Sequence, residues 1–257
     1  MKRNFTQIAV LPTAIIFAAT LFFSLAAAQK SKKPASPPKS IRVDISKDKA
    51  GGESSKFLSV VGNWSVVDDG KRVYAVDGRE WLRGNPSRSL AENARAIYGS
   101  RHEEFIDNVK AFAYFPYSVA KEVDDFQNGE ISVKFKMISG KLDKCAGILF
   151  NLKPNGDYLT VRFNGKEDNL VLWTFNKGVR KFVKKGTENM QLELNKWHEI
   201  RIVVSGLQLE GWLNDKHLLD YTLAEPVSGN VGLWSKTDSV SYFDEFTVRY
   251  PPPGILK

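Results

Sequence analysis

Two acidic segments of the chain could supply hydrolytic chemistry. Retaining glycosidases use two carboxyl groups about 5–5.5 Å apart, and side chains at positions i and i+2 of a strand share a face at a spacing of about 6.6 Å. Glu122 and Asp124 are the nearest match. Because they precede a turn at Gly129, we interpret this segment as a polar loop. Asp244 and Glu245 are adjacent and would point to opposite faces of a strand, so they are not expected to form a dyad.

The remaining chemistry-bearing residue types predict no catalytic centre. The three histidines, His102, His198 and His217, lack metal-ligand spacing, and neither a serine nucleophile elbow nor a phosphate-binding glycine loop is present. The single cysteine, Cys145, excludes an intramolecular disulfide and is expected to be a small buried residue. We therefore predict no catalytic residues, although a hydrolase assembled from distant residues stays open as an alternative.

A ligand-binding face is predicted from strand alternation. If Leu159, Val161 and Phe163 point inward, their neighbours point outward, and the same argument applies to the segments around 148, 170 and 209. Aromatic rings stack on the apolar faces of sugars, while arginine, asparagine and glutamate hydrogen-bond hydroxyl groups. Alternatively, the two tryptophans of this set pack beneath a helical segment. The candidate binding residues are Asn151, Tyr158, Arg162, Asn169, Trp173, Glu210 and Trp212.

The elements that position these residues are mostly short strands. From Glu130 onward, apolar residues alternate with polar ones, and turn signals such as Asn164-Gly165 and Ser205-Gly206 separate the strands. This pattern predicts an all-β, two-sheet antiparallel jelly-roll sandwich. Residues 85–113 instead show helical spacing and predict a short two-helix insertion, which either packs on a sandwich edge or forms a rim over a binding face.

The N-terminal region carries most of the net charge. A basic start and a charge-free apolar run over residues 8–28 predict a signal peptide or an N-terminal anchor, and residues 29–55 predict a polar linker. Of the net charge of +8, seven positive charges precede Asp44, which leaves +1 for the remainder. A nucleic-acid partner is therefore not expected. We expect an exported protein, periplasmic or extracellular, that meets a membrane only through an uncleaved N-terminal segment.

Several segments together resemble the concanavalin A-like lectin/glucanase superfamily, in particular laminin G-like and 3-keto-disaccharide hydrolase-like domains. The segments are 146–150 (AGILF), 156–162 (GDYLTVR), 195–201 (NKWHEIR), 211–215 (GWLND), 229–236 (GNVGLWSK) and 242–246 (YFDEF). The resemblance implies a sandwich domain over residues 56–250, followed by a tail, 251–257. It also implies a structural Ca²⁺ with Asp244 as a ligand. The carboxylate triad of related glucanases is incomplete here, because Phe126 and Gln127 stand at the two positions where the third carboxylate could lie.

Three functions are consistent with these observations. The first is an exported, lectin-like module that binds a poly- or oligosaccharide without catalysis. The second is a glycoside or 3-keto-disaccharide hydrolase. The third is a structural envelope protein that binds another protein.

Overall fold

A computed structural model describes residues 39–83, 90–107, 114–187 and 189–251. The predicted signal or anchor segment (1–28), the first part of the predicted linker and the tail beyond residue 251 lie outside the described residues. No helix in the described ranges is long and apolar enough to cross a membrane.

The described chain forms two antiparallel sheets, as the alternation predicts. The first, sheet A, has the order β13-β12-β11-β6-β15-β4-β3, with β1 paired to β15. Its strands are β1 (Ser40–Arg42), β3 (Trp64–Asp68), β4 (Arg72–Asp77), β6 (Gly129–Ser139), β11 (His198–Ser205), β12 (Gln208–Leu213), β13 (Lys216–Thr222) and β15 (Val240–Arg249). The second, sheet B, has the order β10-β9-β8-β7-β14-β5-β2. Its strands are β2 (Phe57–Val61), β5 (Tyr117–Ala120), β7 (Cys145–Leu152), β8 (Tyr158–Asn164), β9 (Asn169–Asn176), β10 (Val179–Thr187) and β14 (Asn230–Trp234).

The main core lies between the two sheets. Ile131, Val133, Phe135 and Met137 alternate along β6 and are fully buried, because successive strand residues point to opposite faces. They belong to the same apolar cluster as the inward residues of sheet B, such as Ile148 and Val161. The two-sheet sandwich is thereby confirmed.

A second apolar cluster lies on the outer face of sheet B, beneath the helical insertion. The helices are α1 (Gly78–Leu82), α2 (Leu90–Tyr98) and α3 (His102–Asp107), and a 3₁₀ turn (Gly99–Arg101) joins the last two. Ala94 and Phe105 pack with Tyr117 and Trp234, and the Asn93 amide donates a hydrogen bond to the Ser59 carbonyl at 2.7 Å. The insertion therefore covers part of one sheet face, and α1 precedes the range predicted for it.

The sandwich begins earlier than the sequence suggested. Residues in the middle of the predicted linker form β1, and Val43 and Ile45, which follow it, are buried in the main core. These residues follow a Lys- and Pro-rich stretch whose composition conceals the short apolar pattern that they carry.

Candidate functional site

The predicted binding residues fall on two different faces of the sandwich. Asn151, Tyr158, Arg162, Asn169 and Trp173 belong to β7, β8 and β9 of sheet B, whereas Glu210 and Trp212 belong to β12 of sheet A. The outer faces of two stacked sheets point away from each other. The prediction of one continuous face is therefore wrong, because alternation identifies the outward side of a strand but not the sheet that contains it.

Arg162 is outward with respect to the main core, but its exposed fraction is 0%. Its Nη2 donates to Glu167 Oε2 at 2.6 Å, and its Nη1 donates to the Asn169 side-chain and main-chain oxygens. A buried guanidinium needs such partners. Arg162 and Asn169 are thus buried and hydrogen-bonded to each other, and the expectation that they face solvent is wrong.

Asn151 and Tyr158 are also buried. Asn151 has a positive φ of 57° beside an irregularity in the β7–β14 pairing, and its Oδ1 accepts a hydrogen bond from the Ser228 main-chain N–H at 2.9 Å. Tyr158 stacks on Phe175 at 4.3 Å between ring centroids, and its hydroxyl accepts a hydrogen bond from Trp234 Nε1. Both side chains support the outer face of sheet B rather than presenting themselves to solvent.

The two predicted tryptophans have different surroundings. Trp173 is half-buried and packs against the cluster under the insertion, with the Arg180 guanidinium 4.3 Å from its ring centroid. Trp212 lies on sheet A, where Arg201 is 4.0 Å from its ring centroid. The alternative that Trp212 packs beneath the insertion is therefore wrong, whereas the same alternative describes Trp173.

Two carboxylates of the acidic segment 122–125 are held by neighbouring side chains. Glu122 pairs with Lys56, and Asp125 accepts hydrogen bonds from Gln127 at 2.6 Å and Ser228 at 3.0 Å. The Gln127 hydrogen bond is the main cause of the lowered pKa of Asp125. These residues lie between β5 and β6, in the loop that the sequence predicted.

The surroundings of Asp244 do not fit a Ca²⁺ ion. Its Oδ2 pairs with the Lys71 ammonium group, and its Oδ1 accepts a hydrogen bond from the Glu245 main-chain N–H. Calcium requires several oxygen ligands, yet a lysine occupies the position facing this carboxylate. Within the described residues no group of three or more histidine, cysteine or acidic side chains could hold a metal ion.

A cleft of about 530 Å³ opens between the insertion and two turns of sheet B. Antiparallel β7-β8-β9-β10 places the β7–β8 and β9–β10 turns at the same end of the sheet, beside α2 and α3. Lys177 and Gly178 both have positive φ values, 49° and 76°, as a two-residue type I′ hairpin requires. The lining residues are Tyr98, Arg101, Glu104, Phe105, Pro154, Asn155, Gly156, Lys177, Gly178 and Val179.

The polar groups of the cleft are linked to one another. Asp157 Oδ1 accepts a hydrogen bond from the Lys177 main-chain N–H at 2.6 Å, and Asp157 Oδ2 accepts one from Asn155 Nδ2, which ties the two turns together. Arg101 Nη2 pairs with Glu104 Oε2 at 2.6 Å across the exposed rim. Burial raises the pKa of Tyr98 well above its ordinary value, so its phenol stays neutral. The cleft lining combines apolar side chains with donors and acceptors, as ligand sites commonly do.

No residue of this cleft was among those predicted to bind a ligand. They come from turns and from the insertion, whose outward directions alternation does not define. The available signal was the pair of turn motifs, 154–156 and 176–178, because alternate turns of an antiparallel meander meet at one end of the sheet.

The sequence matches no protein-family profile and no curated protein. Among solved structures, the carbohydrate-binding module CBM66 from Bacillus subtilis is similar, with 11% identity, a TM-score of 0.53, and coverage of 77% of this chain and 99% of that one. A putative glycosyl hydrolase from Parabacteroides distasonis aligns over 83% of this chain and 100% of its own, with 13% identity and a TM-score of 0.46. The similarity to the CBM66 module shows that the two proteins share a two-sheet jelly-roll fold.

Proposed function

We infer that this chain is a non-catalytic carbohydrate-binding module that holds part of a poly- or oligosaccharide in the cleft between the insertion and the β7–β8 and β9–β10 turns. The observation that carries the proposal is the cleft itself. Its volume of about 530 Å³ lies within the range of roughly 300–1,000 Å³ typical of ligand pockets.

The chemistry of the lining supports a hydroxylated ligand. Val179 supplies exposed apolar surface, whereas the rings of Tyr98 and Phe105 are almost wholly buried within the lining. Arg101 and Lys177 supply hydrogen-bond donors. Sugars present apolar C–H faces together with hydroxyl groups, and such mixed surfaces match both features. The carbohydrate-binding name of the CBM66 module is consistent with this proposal.

Binding is favoured over hydrolysis by the carboxylates of the cleft. Hydrolysis of a glycosidic bond generally uses two carboxyl groups that face each other across the substrate. Among the lining residues that the structure describes, Glu104 is the one carboxylate, and it is paired with Arg101. We therefore propose binding without turnover, and release of new reducing ends from a bound oligosaccharide would instead indicate a glycoside hydrolase.

Location outside the cytoplasm is part of the proposal. It rests on the charge-free apolar run over residues 8–28, which follows a basic start and ends in Ala26-Ala27-Ala28. N-terminal sequencing of the protein isolated from cells tests this part. A new N-terminus near Gln29 supports a cleaved signal, whereas an intact N-terminus in the membrane fraction supports an anchor.

The binding proposal is tested by glycan arrays followed by calorimetric titration of the bound oligosaccharide. Arg101→Ala removes a cleft donor, and we expect the affinity to fall about tenfold, as loss of about 1.4 kcal/mol of contact energy would produce. Arg249→Ala is the matched control, because Arg249 is an equally exposed arginine that pairs with Glu130 on sheet A. Equal losses in the two variants, or no glycan binding by the unaltered protein, would contradict the proposal.

A further inference from the structure

The β9–β10 hairpin beside the cleft is strongly basic. Between Asn169 and Thr187 the chain carries five cations and no acidic residue, namely Lys177, Arg180, Lys181, Lys184 and Lys185. Residues 43–257 together carry a net charge of +1, so the part of that range outside the hairpin carries −4, and the hairpin is a local concentration of positive charge.

Four of these cations have no carboxylate partner in the part of the chain that the structure describes: Lys177, Arg180, Lys181 and Lys184. Arg180 is held by aromatic rings instead, with its guanidinium 4.3 Å from the centroid of Trp173 and 5.1 Å from that of Phe115. A guanidinium held between rings is partly desolvated, so an incoming anion would interact with it more strongly than with a fully hydrated cation.

Apolar side chains are interspersed with these cations. Val179 and Phe182 are 57% and 56% exposed, and the Phe182 ring meets Trp173 edge to face at 5.7 Å between centroids. Lysines on an edge strand prevent pairing with other sheets, but an exposed phenylalanine and valine do not serve that purpose. Lys181 and Lys184 lie opposite Thr174 and Leu172 and therefore on the other side of the strand from Phe182, which lies opposite Trp173. A ligand that carries both acidic groups and apolar ring faces would meet both sets of side chains by running along the exposed edge of β10.

The hairpin is continuous with the cleft, because Lys177 and Val179 belong to both. We propose that the ligand is an anionic polysaccharide bearing carboxylate or sulfate groups, with one part in the cleft and the adjoining part along β10. This proposal rests on the carbohydrate-binding function inferred above. The lysines at the strand edge and Arg180 would neutralise the acidic groups, and Phe182 would contact a sugar ring.

The test compares acidic polysaccharides with neutral counterparts of the same backbone. The probes are oligogalacturonate against the same oligomer with its carboxyl groups reduced to alcohols, and dextran sulfate against dextran. We expect at least one acidic probe to bind the purified full chain about tenfold or more tightly than its neutral partner. We also expect this affinity to fall steeply as salt increases, because the interaction is electrostatic.

Two paired substitutions locate the interaction. Lys181→Gln with Lys184→Gln removes charge from the edge of β10 while keeping polar side chains, and we expect the preference for the acidic probe to fall about tenfold. Lys196→Gln with Lys216→Gln is the control, because these exposed lysines lie outside the hairpin. A control variant that loses as much binding would overturn the proposal.

The outcomes separate this inference from the function on which it rests. Neutral partners that bind as tightly as the acidic probes, with no effect of the lysine substitutions, would overturn the anionic ligand and leave carbohydrate binding intact. No binding of any glycan would overturn both. A third outcome is that phosphatidylserine-containing vesicles bind, that this binding depends on Lys181 and Lys184, and that acidic glycans do not bind. This outcome would overturn the proposal in favour of a membrane surface.

Discussion

The outer faces of the two sheets differ in how far their charged side chains are paired with each other. On sheet A, Lys134 pairs with Glu245 at 3.0 Å and Arg201 pairs with Glu130 at 3.4 Å, so that cations and carboxylates neutralise each other within the face. On sheet B, the insertion covers one part, and Lys177 and Arg180 of the β9–β10 hairpin have no carboxylate partner among the residues that the structure describes. A face that satisfies its own charges has little bonding capacity left for a ligand, whereas the sheet B side retains that capacity beside a cleft.

The largest expected difference between the two faces is in packing. Trp234 is fully buried on the outer face of sheet B, where it packs with Phe115 and Phe175, so Trp234→Ala should cost about 3–5 kcal/mol of the free energy of unfolding. Trp212→Ala, on the half-exposed face of sheet A, should cost clearly less. Urea unfolding measures both values, and equal losses would mean that the insertion does not create a second core on sheet B.

The second expected difference concerns two arginines with different environments. Arg162→Ala removes a fully buried guanidinium and should lower the free energy of unfolding by about 3 kcal/mol. Arg201→Ala removes a more exposed ion pair and a cation–π contact and should cost about 1 kcal/mol. The comparison by urea unfolding fails if Arg162→Ala is as mild as Arg201→Ala, which would indicate that Arg162 is accessible to solvent.

The third expected difference is in the response to acid. Burial alone would raise the pKa of Asp143, but hydrogen bonds from Lys236, Thr237 and Asn164 outweigh it and hold that pKa below its ordinary value of 3.8. A carboxylate with a depressed pKa contributes stability above its unfolded-state pKa and loses it as the pH falls through the folded-state value. The unaltered protein should therefore lose stability as the pH falls from about 5 to 3.

Asp143→Asn should make that acid dependence shallower, because the residue can no longer take up the proton. Glu245→Gln on sheet A is the comparison: the hydrogen bond from Lys134 is the main cause of its lowered pKa, and its side chain is more exposed. Its effect should be smaller. Melting temperatures measured across this pH range would refute the assignment if both variants follow the unaltered protein.

The smallest expected effect is that of a chelator. Because Lys71 occupies the position facing Asp244, the melting temperature should be the same with and without EDTA. The same Lys71–Asp244 ion pair predicts a modest loss of stability in Lys71→Met, of about 1 kcal/mol or less. A lowered melting temperature in EDTA that Ca²⁺ restores would instead support the calcium site implied by the family resemblance.

Much of the fold was predictable because alternation is a direct consequence of strand geometry. The apolar positions of β6 identify an inward face without any tertiary information. By contrast, alternation does not reveal β10 and β13, because lysines and other exposed residues at the sheet edges obscure the pattern. Residues 179–187 have no continuously buried side for a periodic pattern to reveal.

The candidate site was less predictable, since it depends on which elements meet. Alternation placed Arg162 and Trp212 outward correctly, but it contained no information that they lie on different sheets or that Arg162 is covered. The cleft is made from turn and helix residues such as Asn155 and Arg101. Their convergence follows from the order of strands in sheet B, which becomes known only with the structure.

Hydrogen–deuterium exchange with and without a bound acidic oligosaccharide tests the central claim most directly. The account predicts slower exchange at the ends of α2 and α3 and in residues 154–156 and 176–185, with no change over β11 and β12. Protection confined to β11 and β12 would contradict it, because the ligand would then lie on the outer face of sheet A, where cations and carboxylates already pair with each other.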